Sequence, residues 1–109
     1  MQLVKPFKEA VRAPLSSVEN DLAIARYLED SAEGDVTALF NLGVAYSTRS
    51  SGVACDLVEA HMWFNLAAAR GHEEAAACRA DVSDEMTARE IAEAQRRARR
   101  WLSEERRAA

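Results

Sequence analysis

Apolar residues recur every three or four positions along most of this chain, which is the spacing of one face of an α-helix. The spacing predicts a first helix from Ser16 or Ser17 to about Glu33, and further helices over residues 36–47, 57–71, 73–84 and 88–106. Alanine is abundant while isoleucine and threonine are scarce, so helix propensity dominates and strands are not expected. The sequence therefore predicts an all-α protein.

Two predicted helices begin with the spacing of a capping box, in which each of two side chains satisfies the other's backbone N–H. Asp56 with Glu59 precedes the third helix, and Thr87 with Glu90 opens the last one. In the first helix the apolar residues that recur at helical spacing are Val18, Leu22, Ala25, Leu28 and Ala32, and Gly34 is expected to end the helix.

Residues 37–71 have the pattern of a helical hairpin, because small residues recur where two helices would need to approach closely. The small residues of the hairpin are Ala38, Gly43, Gly52, Ala60, Ala67, Ala68 and Gly71, and the large residues expected to fill its seam are Leu42, Tyr46, Trp63 and Leu66. The stretch that begins Gly34-Asp35 and ends at Ala38 recurs 37 residues later, from Gly71-His72 to Ala75. A fixed period of this length in a helical chain is typical of an α-solenoid.

These residues resemble the Sel-one-like repeats, which are relatives of the tetratricopeptide repeats. The matching positions are Ala38, Leu42, Gly43, Tyr46, Gly52, Val53, Asp56, Ala60, Trp63, Ala67, Ala68 and Gly71, followed by Ala75 of the next unit. That next unit has Arg79-Ala80 in place of Leu-Gly and Ser83 in place of Tyr, which indicates a terminal cap. The resemblance implies an α-α superhelix, a short solenoid of antiparallel helix pairs with a C-terminal capping helix.

The length of 109 residues predicts one domain. We expect an N-terminal extension over residues 1–16, repeat helices over 17–84 and a capping helix over 87–107. The net charge of −4 is uneven, since the first 86 residues carry an excess of acidic side chains and the last 23 an excess of arginine. No run of apolar residues is long enough for a membrane span or a signal peptide, so the expected location is cytoplasmic.

The chain has two cysteines and two histidines, which are the residue types that most often bind zinc. They are Cys55, His61, His72 and Cys78. Zinc sites are usually built from close pairs of ligands, and these residues are five or more positions apart, so neither a metal nor another cofactor is expected. His61 is interpreted as a solvated side chain, and His72 as a helix cap. Cys55 precedes a helix N-terminus, where a thiol pKa can fall, but no base accompanies it. Enzyme activity is not expected.

The last predicted helix carries Arg96-Arg97-Ala98-Arg99-Arg100, which allows weak nucleic-acid binding as one alternative function. Glutamates flank this run, so ion pairs within a solvated capping helix are the favoured interpretation. Trp63 and Trp101 are both expected to pack in the core, because each lies in line with small apolar residues.

In tetratricopeptide-like solenoids the first helix of each pair lines the concave face, and the resemblance assigns that place to residues 36–47. The residues expected there are Thr37, Phe40, Val44 and Ser47, and in the next unit Glu74, Ala77, Asp81 and Asp84. We expect a partner protein to bind this groove, with Phe40 and Val44 as anchors and the carboxylates selecting basic residues. The alternative is that these residues of helix 36–47 are covered from within the protein itself, either by residues 1–15 or by a second copy of the chain. A second copy would give a homo-oligomer built by end-to-end stacking.

Overall fold

The computed structural model describes residues 17–48 and 56–108, and the side chains of residues 22–48 and 56–107. Every regular element in these ranges is an α-helix, which confirms the all-α prediction for the described part of the chain. The helices are α1 (Ser17–Ala32), α2 (Val36–Ser47), α3 (Leu57–Ala69), α4 (Ala75–Ser83) and α5 (Ala88–Ala108). The predicted boundaries of α2 are correct, whereas α3 ends two residues earlier than predicted and α4 starts two residues later.

The α1–α2 and α3–α4 turns share one geometry. Gly34 and Gly71 have φ values of 94° and 97°, a region that costs other residues energy because of their Cβ atoms. The backbone N–H of Gly34 donates to the carbonyl of Ser31 and that of Gly71 to the carbonyl of Ala68, each at 3.0 Å. Donors and acceptors alike are 37 residues apart, so the sequence period is also a period of the backbone at these two turns.

The residue after each glycine accepts hydrogen bonds from backbone N–H groups that follow it, but only Asp35 is the N-cap of a helix. The N-cap of α4 is Glu74, whose side chain makes no capping bond, so the prediction that His72 caps this helix is wrong. Asp35 accepts hydrogen bonds at Oδ1 from the backbone N–H groups of Thr37 (2.9 Å) and Ala38 (3.3 Å). Nδ1 of His72 accepts one from the N–H of Glu74 at 3.3 Å. A carboxylate oxygen thus accepts from two donors where the imidazole nitrogen accepts from one. Relative to its turn, α4 begins two residues later than α2, at Ala75.

The predicted capping box at Thr87 is complete, and the one at Asp56 is half formed. Thr87 Oγ1 accepts from the N–H of Glu90 at 3.1 Å, and the Glu90 carboxylate accepts from the N–H of Thr87 at 2.8 Å. Asp56 accepts from the N–H of Glu59 at 3.1 Å. The Glu59 carboxylate, however, accepts from Nε1 of Trp63 at 3.0 Å, because the indole of the next turn lies within its reach.

Helix α3 lies at the centre of the described fold and packs against α2, α4 and α5, while α1 packs against α2. Leu42 of α2 and Phe64 and Leu66 of α3 are all completely or almost completely buried between these helices. Trp63 is buried, as predicted, and Trp101 of α5 is partly buried against it in an edge-to-face arrangement with ring centroids 6.1 Å apart.

The prediction that His61 is solvated is wrong, since its side chain is only 2% exposed. The prediction assumed that α3 buries one face and leaves the opposite face in water. Because three helices surround α3, little of its circumference remains for polar side chains.

Candidate protein-interaction surfaces

Two of the four residues expected on the concave face of α2 are part of the core. Phe40 is 8% exposed and Val44 is 4% exposed, whereas Thr37 is exposed and Ser47 is half-buried. Phe40 and Val44 therefore do not present open anchor positions on the described fold. Their sequence spacing placed them on one face of α2, but it carried no information on what lies against that face.

His72 covers Phe40. The two rings stack with centroids 4.2 Å apart and planes inclined by 7°. On its other side Phe40 meets Phe64 of α3 with ring centroids 5.5 Å apart. His72, in the turn before α4, thus covers the apolar side of the expected groove.

The residues expected on α4 are accessible. Glu74, Ala77 and Asp84 are exposed and Asp81 is half-buried. Exposed residues that sequence reasoning did not assign lie beside them, and they are Glu73, Ala76, Ala80 and Glu85. We call Glu73, Glu74, Ala77, Ala80, Asp81 and Asp84 the α4 acidic surface.

The carboxylates of the α4 acidic surface take part in none of the ion pairs found within the described residues. Those pairs connect Glu59, Glu93 and Glu105 to arginines of α5 and to Arg70. Arg79 is the one base in α4, and its guanidinium turns toward α3, where it donates to Oδ1 of Asn65 at 2.7 Å. The outer side of α4 is therefore negatively charged without a neutralising neighbour in this part of the chain.

Cys78 lies on the inner side of α4, buried in the core. Burial, with added repulsion from Asp81 and Glu74, raises the pKa of its thiol to about 11. A thiol in this state is not a nucleophile at neutral pH, because the reactive form is the thiolate. The other cysteine, Cys55, and the loop residue Gly52 lie outside the described residues.

His61 is buried with no hydrogen-bond partner for Nδ1 among the described residues. Burial, reinforced by the positive charge of Arg79, lowers its pKa. No cluster of three or more potential metal ligands occurs in residues 17–48 and 56–108. His61 and His72 have different local roles, since His61 is in the core and His72 accepts a hydrogen bond in the turn before α4.

Helix α5 is joined to α3 by polar contacts at the edge of the tryptophan pair. Arg97 donates to Glu59 of α3 at 3.0 Å and to Glu93 of its own helix at 2.8 Å. Arg70 pairs with Glu105, and its guanidinium carbon lies 5.9 Å from the centre of a Trp101 ring. The arginines on the outer face of α5 are exposed, and they are Arg89, Arg96, Arg99, Arg100, Arg106 and Arg107.

The apolar residues that recur at helical spacing on α1 face outward along most of the helix. Leu22 is 66% exposed and Leu28 is 43% exposed, and Ala25 and Ala32 are also exposed. The inner side of α1 is formed instead by Ile24, Tyr27 and Ser31, which precede His61, Phe64 and Ala68 of α3 by 37 residues each. We call Leu22, Ala25, Leu28 and Ala32 the α1 apolar face.

No helix of the described ranges is both long enough and apolar enough to cross a membrane. In comparisons with known proteins, no family model matches the chain, and neither a curated protein nor a solved structure matches it significantly.

Proposed function

We propose that this chain is a non-enzymatic protein-interaction module, a small adaptor built from Sel-one-like helix pairs. Two observations support the repeat: the spaced residues from Ala38 to Ala75, and the turns at Gly34 and Gly71, whose backbone hydrogen bonds recur after 37 residues. In this proposal α2 pairs with α3, and α4 and α5 both pack on α3, with α5 as the C-terminal cap of a short superhelix.

The observation that carries the interaction role is the α4 acidic surface. Its carboxylates are solvent-accessible, and the described residues supply no cation to pair with them. Ala77 and Ala80 lie among them, and their small side chains allow the backbone of a partner to approach. The partner is a protein segment that carries lysine or arginine at a spacing matched to these carboxylates.

The expected complex is transient and sensitive to salt. An exposed ion pair contributes about 0.2–1 kcal/mol, so four carboxylates do not by themselves produce tight binding. At ionic strengths well above physiological the pairs are screened and the complex should dissociate. This separates the present proposal from binding through apolar anchors in a groove, because Phe40 and Val44 are buried.

The test compares proteins captured from a nuclease-treated lysate by the wild type, by Glu74→Lys/Asp84→Lys and by the control Glu33→Lys/Glu104→Lys. Both variants change the net charge equally and alter only exposed side chains. We expect a protein that is retained by the wild type and the control and lost by the α4 variant, and that then binds purified wild type in a salt-dependent titration. Equal loss in both variants, or retention by all three proteins, would overturn the assignment to α4.

A homo-oligomer formed by end-to-end stacking is the second candidate function. It is favoured by the α1 apolar face, because an open apolar end on a repeat stack is a surface on which another unit could pack. Sedimentation equilibrium of the wild type and of Leu22→Asp distinguishes the two, since a stacked oligomer should be lost in the variant.

A further inference from the structure

The α1 apolar face is an unpartnered helix surface. Leu22, Ala25, Leu28 and Ala32 lie within about a third of the helix circumference, as follows from 100° of rotation per residue. Exposed leucines at single positions are common, but two of them in line with two alanines form a contiguous strip of the kind that normally packs against a second helix.

The side chains beside this strip restrict what can cover it. Glu29 is exposed and falls within the same third of the circumference, between Ala25 and Leu22. Asp30 is half-buried, and Arg26 is the one base on the described part of α1. A second copy packed antiparallel through the same face would bring two sets of these carboxylates together. The surface is better matched by a helix with an apolar ridge and basic flanks.

The sequence just before α1 has that pattern. Its apolar residues recur at every fourth position, at Leu3, Phe7, Val11 and Leu15. Its basic residues, Lys5, Lys8 and Arg12, recur at spacings of three and four. These positions lie outside the described residues, so the pattern is a property of the sequence alone.

The length and the connection of this segment also fit the α1 apolar face. As a helix, residues 3–13 would be about 16 Å long, close to the ~15 Å between Leu22 and Ala32 at a rise of 1.5 Å per residue. Pro14 cannot donate to a continuing helix and suits a reversal of direction before Ser17. Because residues 3–13 are connected directly to α1, their effective concentration at the α1 apolar face is on the order of millimolar. At ordinary protein concentrations this favours the segment over a second copy of the chain.

We propose that residues 3–13 dock in cis, as an antiparallel helix, on the α1 apolar face. A reversal over residues 14–16 places Leu3 near Leu28, Phe7 over the small Ala25 and Val11 near Leu22. The segment and α1 then form a helix pair that precedes the pair formed by α2 and α3.

The first test measures thermal unfolding of the 109-residue chain and its Phe7→Asp, Leu22→Asp and doubly substituted forms. Each single change should lower Tm by about 4–8 °C, and the double change should lower it little further because both break the same contact. Glu9→Gln and Ala92→Asp are the matched controls, one within the segment off its apolar ridge and one at an exposed position of α5. Both controls should leave Tm within about 2 °C, the size of an ordinary surface effect.

The second test is hydrogen exchange of the wild type, which does not depend on how any variant folds. Amides of residues 5–12 should exchange at least tenfold more slowly than in a peptide of the same sequence, and Leu22→Asp should abolish the difference. Exchange at the peptide rate in the wild type would overturn the proposal. So would an unchanged Tm in Phe7→Asp, or a dimer in sedimentation that Leu22→Asp abolishes and Phe7→Asp does not.

Discussion

A Cβ atom added to Gly43 would lie 2.5 Å from two ring carbons of Phe64. Real Cβ atoms essentially never come so close, and the ring of Phe64 is fully buried. Gly43 is in the middle of α2, where glycine is a poor helix former, so the close approach of α2 and α3 explains its presence there. Helices α2 and α3 can therefore approach this closely only because residue 43 has no Cβ atom.

Gly43→Ala should destabilise the fold. Overpacking of a filled core costs roughly 1–3 kcal/mol, and better helix propensity returns up to about 1 kcal/mol, so a net loss is expected. Urea unfolding followed by circular dichroism measures it. In a Phe64→Leu background the same substitution should cost clearly less, because the smaller side chain can move aside. An equal cost in both backgrounds would show that Phe64 is not the cause.

The stability of the fold should fall as pH is lowered from 7.5 to 5.5, owing to His61. Burial and the charge of Arg79 lower its pKa in the folded state, whereas the unfolded chain has the ordinary value near 6.5. The unfolded state therefore binds the proton first, and the free energy of unfolding decreases once the pH drops below that ordinary value. Above about pH 7.5 the imidazole is neutral in both states and contributes no pH dependence.

Urea midpoints of the wild type and of His61→Gln, measured at several pH values in this range, test that dependence. The wild type should lose stability relative to the variant as the pH falls, with the difference constant above pH 7.5. If the urea midpoints of the wild type and His61→Gln changed equally with pH, groups other than His61 would be responsible for the pH dependence.

Glu59→Ala should cost about 1–3 kcal/mol, the usual penalty for leaving hydrogen-bonding groups without their partner. The carboxylate accepts from Nε1 of Trp63 within α3 and from Arg97 of α5, so its removal affects both the indole and the contact between the two helices. Tryptophan fluorescence during urea unfolding gives the free energy. Glu104→Ala, at an exposed position of α5, should stay within about 0.5 kcal/mol of the wild type.

Cys78 should react slowly with thiol reagents in the folded protein. Its side chain is buried and its pKa is raised to about 11, so very little thiolate is present at pH 8. In a Cys55→Ser background, a disulfide reagent should label less than a tenth of the chain in the time that labels all of it in 6 M urea. Rapid and complete labelling without urea would contradict both the burial and the raised pKa.

Helix type and the starts of α2 and α5 were predictable from the sequence because they depend on neighbours along the chain. Asp35 caps α2 and Thr87 with Glu90 caps α5 through bonds that span two or three residues. The surface residues were harder to predict. The spacing of Leu22 and Leu28 is equally compatible with a buried or an outward face, and only the placement of α2 against Ile24 and Tyr27 distinguishes them.

The same distinction between local and tertiary features applies to the candidate interaction residues on α2 and α4. Sequence spacing correctly grouped Glu74, Ala77 and Asp84 on the accessible side of α4. It also placed Phe40 on an open face of α2, whereas His72 covers that ring. A pattern within one helix cannot report a contact made by a residue 32 positions further along the chain.

By itself, then, the sequence determined the features that arise within a few residues of each other: the helices, their caps, the positive-φ turns at Gly34 and Gly71, and the charge of each helix. Only the tertiary structure decided which faces are covered, since that depends on helices brought together from distant parts of the chain. His61 lies in the core for this reason, although its position on α3 suggested a solvated side chain. Burial is a property of the assembled helices, and it is burial that separates core side chains from those available to a partner.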